Sequence, residues 1–255
     1  MKVEKIKKSG RKYKIVLDNN DVITTYDDVI INNGILYNKQ IDTNLLNEIS
    51  KETSYYDIYY KCVNYITKKL RSEKEINEYI DKLNTSDKDK KQVLKKLKEI
   101  GLINDINYTK AYISDRINLS LDGPYKIKKD LLEHNISLEI IEEELNKIDK
   151  EIINSKIEKL INKKIKNTKY TGYILKQKVI QYLNDLGYDK LDVIEIYDNI
   201  NVDNNNLLKK EYDKLYKKLS LKYADKELNN KIKTKLYQKG FSISEINQIL
   251  NDDYS

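Results

Sequence analysis

Clustered lysines are the residues of this 255-residue chain best placed to do chemistry, and that chemistry is ionic. Ammonium groups on successive helical turns attract phosphates or carboxylates. Lys126, Lys128 and Lys129 flank Ile127. Lys163, Lys164 and Lys166 form a second group, with Lys176 and Lys178 soon after. Lys209, Lys210, Lys214, Lys217 and Lys218 form a third. Any one of them, taken alone, reads equally well as an ordinary solvated helix surface. Their distribution argues for joint action: residues 151–240 carry 20 Lys/Arg against 12 Asp/Glu, whereas the remainder carries 28 against 29. The net charge of +7 therefore belongs to one part of the chain, and its field suits nucleic acid or an acidic protein surface. Aromatic–basic interleaving serves single-stranded nucleic acid, and the chain has 22 tyrosines. Many of these, such as Tyr108, Tyr112 and Tyr197, fall at apolar helical positions, where core packing is the simpler role.

Bond-making chemistry has far less support. Cys62 is the only cysteine, which excludes an internal disulfide and a thiolate metal cluster, and its apolar neighbours make it a small core residue. His134 is the only histidine and reads as a surface residue near a helix end. The run Glu142-Glu143-Glu144 reads as a solvated helix face. Neither G-x-x-x-x-G-K-[ST] nor G-x-G-x-x-G occurs, and Gly123-Pro124 looks like a loop entering a helix. A nuclease would need converging acids, and none are identifiable. The expectation is a protein with no catalytic residues, no metal and no cofactor.

Positioning these lysines falls to helices. Proline occurs once and glycine seven times, and both interrupt helices. With 39% apolar residues, 35% charged residues and a mean hydropathy of −0.74, a core is available only if the apolar residues are patterned. No run approaches the roughly 20 apolar residues of a membrane span. Met1-Lys2-Val3-Glu4-Lys5 lacks the apolar run of a signal peptide, so the chain is expected to be cytoplasmic and reduced.

Residues 1–50 predict a small β-hairpin module, with strands at Lys12–Leu17 and Asp21–Thr25 around an Asp18-Asn19-Asn20 turn. A short helix near Asp27–Asn32 follows, and another helix begins near Asp42. Beyond residue 54 the period is helical and the sequence repeats. Ile76, Ile127, Val179 and Ile232 occupy one column, with Ile80, Leu131, Leu183 and Leu236 four residues later on the same helical face. Asn84, Asn135, Gly187 and Gly240 then supply residues that tolerate the left-handed end of a helix. Ser86, Ser137, Asp189 and Ser242 follow as N-caps of the next helix, and Glu245 completes a capping box with Ser242. Leu94, Leu145, Tyr197 and Leu250 lie eight residues past each cap. An amphipathic segment precedes each copy. The predicted fold is mainly α: about four tandem three-helix repeats in an elongated curved array, at 54–102, 103–149, 150–202 and 203–255, after the module at 1–50.

Several of these segments also carry a family resemblance. Leu70-Arg71-Ser72-Glu73-Lys74-Glu75-Ile76 resembles the R-S-E-x-E-[LI] signature opening the first repeat of RecX proteins. Gly101-Leu102-Ile103-Asn104-Asp105, with Tyr108, Ala111, Tyr112 and Arg116, resembles their G-L-[LI]-[DN]-D segment and its continuation. Gly123-Pro124-Tyr125-Lys126-Ile127 looks like G-P-x-[RK]-I, and Tyr182-Leu183 with Gly187-Tyr188 looks like a later Y-L-x-x-x-G-[FY]. The resemblance spans the chain and is strongest over 55–135. Two features depart from it: Asp122 stands where a basic residue often precedes Gly-Pro, and Asn84 and Asn135 stand where glycine is frequent.

The resemblance implies a non-catalytic, monomeric regulator that binds the RecA–single-stranded-DNA filament and restrains its ATP hydrolysis, extension and strand exchange in recombination and repair. The implied partner is the RecA filament, with single-stranded DNA as a second candidate and no membrane. By analogy the contact residues are Arg71, Lys74, Arg116, Lys126, Lys128, Lys129, Lys163, Lys164, Lys176, Lys178, Lys214 and Lys218. Arg71 and Arg116 read equally well as salt-bridge ties between repeats. The alternative function is a general single-stranded nucleic-acid-binding repeat protein.

Overall fold

Alternating side chains and two turns with positive φ build the N-terminal sheet. In the computed structural model, which describes residues 1–200 and 205–252, strands β1 (Val3–Ser9), β2 (Lys12–Leu17) and β3 (Val22–Thr25) form an antiparallel sheet in that order. Ile6 pairs with Ile15, and Ile15 with Ile23. Gly10 turns the chain between β1 and β2 at φ +66°, and Asn20 does so between β2 and β3 at φ +65°. The expected hairpin is present as β2–β3. β1 extends it to three strands, and its run of lysines with only Val3 buried gives the look of a solvated edge rather than a core strand.

Helix α1 (Asp27–Asn32) matches the short helix read from sequence, and α2 (Thr43–Lys68) begins at its N-cap Asp42. The Asp42 side chain accepts a hydrogen bond from the Leu45 N–H at 2.7 Å. α2 contains neither Gly nor Pro, so it runs unbroken through 50–54, where the sequence pattern changes. Its first half closes the core of the sheet, and its second half begins the next core. Tyrosines do much of the packing: Tyr26 and Tyr60 lie 4.7 Å apart, and their hydroxyls donate to Asp57 and Asp28 at 2.7 Å.

The remaining helices come in threes. α3 (Glu73–Asp81) and α4 (Asp87–Glu99) pack on the second half of α2. α5 (Asp105–Leu119), α6 (Pro124–Glu133) and α7 (Leu138–Asn146) follow. α8 (Lys150–Lys166), α9 (Gly172–Asp185) and α10 (Lys190–Asp198) share one core, and α11 (Asn205–Leu219), α12 (Asp225–Tyr237) and α13 (Ile243–Asp252) share another. The expected junction of the last two repeats, at 202/203, lies outside the described residues. Contacts divide the chain into two compact units: Met1–Tyr108 with His134–Ile136, and the described residues of Thr109–Glu133 with Ser137–Ser255.

The repeat columns have a physical basis in each copy. All eight residues of the first two columns, from Ile76 and Ile80 to Ile232 and Leu236, are fully buried. Asn84, Asn135, Gly187 and Gly240 all have positive φ, between +50° and +98°. Ser86, Ser137, Asp189 and Ser242 each accept a hydrogen bond from a backbone N–H of the following helix. The column eight residues past the cap is weaker, because Leu94, Leu145 and Leu250 are only half-buried. Cys62 is fully buried, and burial pushes its thiol up to about 11, which suits a packing role.

In the second unit, glycine stops also act as joints. The Gly123 N–H donates to the Leu186 carbonyl at 2.7 Å, and the Tyr125 N–H donates to the Gly187 carbonyl at 2.9 Å. A Cβ on Gly123 would sit 2.5 Å from the Gly187 backbone. The same arrangement recurs one repeat later: the Thr171 N–H donates to the Lys239 carbonyl at 2.8 Å, and a Cβ on Gly240 would meet the Thr171 carbonyl oxygen. The start of a middle helix thus docks on the left-handed stop of the next repeat's middle helix. Gly123-Pro124-Tyr125 and Gly187-Tyr188, two motifs far apart in sequence, are the two sides of one joint.

Candidate functional site

Twelve cations were candidates for partner contact, and carboxylates brought close by the fold divide them. Arg71 donates to Glu75 at 2.7 Å, and its guanidinium lies 4.2 Å from the Tyr65 ring centre. Glu75 in turn closes a capping box with Ser72, so Arg71 braces the first turn of α3. Lys74 lies 3.9 Å from Glu78 on the same helix. Arg116 donates to Asp122 at 3.1 Å and to the Tyr112 hydroxyl at 2.8 Å, and it also lies 3.5 Å from Asp130. Lys126 reaches the other oxygen of Asp122 at 2.7 Å, and Lys128 reaches Glu142 at 2.6 Å. Lys176 grips both oxygens of Asp198, at 2.6 and 2.8 Å.

Asp122 is the hub of this region. It is buried, yet Lys126, Ser120 and Arg116 surround it. Burial alone would raise its pKa; hydrogen bonds from Lys126 and Ser120, and the nearby Arg116 charge, bring it below the usual carboxylate value. Its own carbonyl receives the hydroxyl of the fully buried Tyr188, at 3.5 Å. An acid at this position, where the family pattern often has a base, thus anchors the Gly123 joint. Arg71 and Arg116 act as salt-bridge ties, each within its own three-helix segment.

A different arrangement surrounds the turn between α8 and α9. Lys163, Lys164 and Lys166 from the last turn of α8, Lys169 from the turn, Lys178 from α9 and Lys210 from α11 line an open cleft of about 950 Å³. The helix itself favours the first three: cations in a last turn face the negative end of the helix dipole. Leu160, buried beneath them, fixes the floor. Asp185 is the only carboxylate in the lining among the described residues, and it accepts from Gln181 at 2.6 Å. None of the six lysines makes an ion pair among the described residues.

Two half-buried tyrosines, packed in part against the α8–α10 core, complete the lining. Lys164 Nζ stands 4.3 Å from the Tyr182 ring centre and Lys178 Nζ 4.5 Å from that of Tyr170, with Lys169 at 5.6 Å from the same ring. Three of the twelve candidates, Lys163, Lys164 and Lys178, therefore come together here. Lys129, Lys214 and Lys218 are exposed but lie outside the lining. Lys214 and Lys218 follow Lys210 at four-residue steps along one side of α11.

Sequence reasoning missed Lys169 and Tyr170. Both sit in Asn167-Thr168-Lys169-Tyr170, a turn with no helical period to flag it. The available signal was its position between two lysine clusters. Among the described residues no group of side chains is arranged to hold a metal ion, and no helix is long and apolar enough to cross a membrane.

Residues 203–250 match the family model for the third three-helix domain of RecX. Over 262 residues the chain is 32% identical to the Regulatory protein RecX of Streptococcus agalactiae serotype III (strain NEM316), covering 99% of both chains. It is 32% identical over 266 residues to the Regulatory protein RecX of Lactococcus lactis subsp. cremoris (strain MG1363), covering 98% of this chain and 97% of that one. Among solved structures, a regulatory protein RecX superposes with a TM-score of 0.68 at 24% identity, over 77% of this chain and 98% of the other. RecX from Lactobacillus salivarius superposes with a TM-score of 0.54 at 26% identity, over 56% of this chain and 94% of the other. Full-length similarity to those two curated relatives makes this chain a member of the RecX family of regulatory proteins.

Proposed function

We propose that this protein binds the RecA–single-stranded-DNA filament in the cytoplasm and restrains its ATP hydrolysis, its extension and strand exchange. The observation that carries this reading is the full-length similarity to regulatory RecX proteins, over 99% of both chains for the Streptococcus agalactiae relative. The lysine cleft between α8, α9 and α11 adds physical support, because its cations make no ion pair among the described residues and can face an acidic surface. The regulator makes and breaks no bonds; it acts by occupying a surface and by charge. Lys163, Lys164 and Lys178 belong to that contact, joined by Lys166, Lys169 and Lys210. Lys129, Lys214 and Lys218 extend it. Arg71, Arg116, Lys126, Lys128 and Lys176 contribute indirectly, by holding the helices that present it.

The test is the DNA-dependent ATPase of the cognate recombinase. Substoichiometric protein should slow hydrolysis, and no effect at stoichiometric excess overturns the proposal. Reversing Lys163, Lys166 and Lys178 to Glu should weaken that inhibition at least tenfold while far-ultraviolet dichroism stays unchanged. Lys176 is left out of the variant because a glutamate there would face Asp198.

A further inference from the structure

We infer that the cleft between the end of α8, α9 and α11 binds single-stranded nucleic acid directly, without a recombinase, by exchanging the lysines now resting on Tyr170 and Tyr182 for bases. This deepens the proposed function by naming a partner for its charged surface. Charge alone does not choose between a nucleic acid and an acidic protein. The rings do. Tyr170 and Tyr182 are each half-buried in the lining, packed in part against the α8–α10 core, and each carries a lysine ammonium over its face. The carboxylates of an acidic surface gain nothing from the negative face of a ring, whereas an unstacked base stacks on it, and base stacking on an aromatic side chain holds more firmly than an exposed lysine does.

The exchange is balanced in charge and in contacts. Lys164 leaves the Tyr182 ring and Lys178 leaves the Tyr170 ring, both on flexible stems. Each then meets a phosphate of the strand whose base has taken its place. Lys163, Lys166, Lys169 and Lys210 supply further phosphate contacts along the cleft. Because bases must be unpaired to reach the rings, the site selects single strands over duplex. It tolerates any sequence, since every base has a face to stack.

The experiment measures anisotropy of a dye-labelled oligothymidylate of about 20 nucleotides with the full chain and no recombinase. Six phosphate contacts predict an affinity falling roughly 300-fold between 50 and 200 mM salt. Replacing Lys163, Lys166 and Lys210 by Gln should flatten the log–log salt slope by about 2. The double variant Tyr170→Leu/Tyr182→Leu keeps apolar bulk and should weaken binding about tenfold or more while leaving the salt slope unchanged. Lys5→Gln/Lys7→Gln, on the exposed face of β1 in the other compact unit, should bind as the unaltered protein does. Duplex of the same length should bind more weakly.

The inference is overturned if the unaltered protein fails to bind the strand, or if the glutamine variant keeps its slope. It is also overturned if the tyrosine variant binds undiminished, or if polyglutamate competes as well as oligothymidylate at equal charge. These outcomes are separable from the ATPase test. Inhibition without strand binding overturns this inference and leaves the proposed function standing. Strand binding without inhibition supports the inference and removes the proposed function.

Discussion

The region around Asp122 and the cleft at the end of α8 lie in the same compact unit, and both are rich in basic side chains. Around Asp122 the bases are committed: Arg116 and Lys126 share that one carboxylate, and Lys128 is paired with Glu142. In the cleft six lysines face a lining whose only described carboxylate is Asp185. A cluster of lysines in a sequence therefore says little about available charge. Availability depends on which acids the tertiary structure brings within about 4 Å. The difference also separates two reasons for a motif. The Gly-Pro and Gly-Tyr motifs that carry the family resemblance build a joint between helices, whereas the candidate contact surface lies in lysines with no motif at all.

If that division is right, the largest loss of stability should come from the joints. Gly240 has φ +98°, and a Cβ there would collide with the Thr171 carbonyl. Gly240→Ala should cost about 2–5 kcal/mol, from left-handed strain and overpacking together. Gly187→Ala, whose Cβ would meet Lys126, should behave alike. Asn84→Gly should change stability by no more than about 1 kcal/mol, since Asn84 already holds φ +50° and keeps its stop. Urea unfolding followed by circular dichroism measures all three. A Gly240→Ala protein as stable as the original would break the comparison by removing the joint.

These joints mark the limit of what the sequence made legible. The repeat could be read because helix burial, helix stops and N-caps are local: Ile76 and Ile80, then Asn84, then Ser86 need only a few neighbours to make sense. The short helix at Asp27–Asn32 and the start of α2 at Asp42 were legible for the same reason. β1 was not, because an exposed edge strand keeps few buried residues. Nor was the pairing of Gly123 with Gly187, which rests on a contact across 64 positions and leaves no periodic trace. The cleft was half legible. Its lysines stood out by number, but whether each was spent on a carboxylate was decided by residues such as Asp198 and Glu142, distant in sequence. Tyr170 lay in a turn where no period operates.

A smaller and pH-dependent effect is expected at Asp122. Asp122→Asn should cost about 1–2 kcal/mol near pH 7, kept modest because Arg116 and Lys126 are 39% and 44% exposed and so partly screened by water. The native pKa of Asp122 lies below its ordinary value: burial works against this, and Lys126, Ser120 and Arg116 outweigh it. A carboxyl depressed in the folded state stabilises the fold above its unfolded pKa of about 3.9 and loses that contribution as pH falls through the folded value. The gap between the two proteins should therefore be constant from pH 8 to about 5 and close below pH 4. Urea midpoints across that range provide the measurement. A gap that widened on acidification would mean that Asp122 is held in its protonated form.

The cleft should respond least, and with the opposite sign. Lys163, Lys166 and Lys210 share one lining without an internal ion pair among the described residues, so in the folded state they repel one another. Replacing all three by Gln removes that repulsion. Stability should stay within about 0.5 kcal/mol of the original or rise slightly, as for surface substitutions away from packed features. Salt supplies the finer reading. Screening weakens repulsion between exposed charges over about 10 Å at 0.1 M, so added salt should stabilise the original protein more than the glutamine variant. Around Asp122 the reverse holds, because there salt screens attraction. If the three lysines instead hold the fold together, the variant loses stability and salt destabilises the original more. That result would erase the distinction between a committed and an available set of charges, since the cleft would then be one more structural tie.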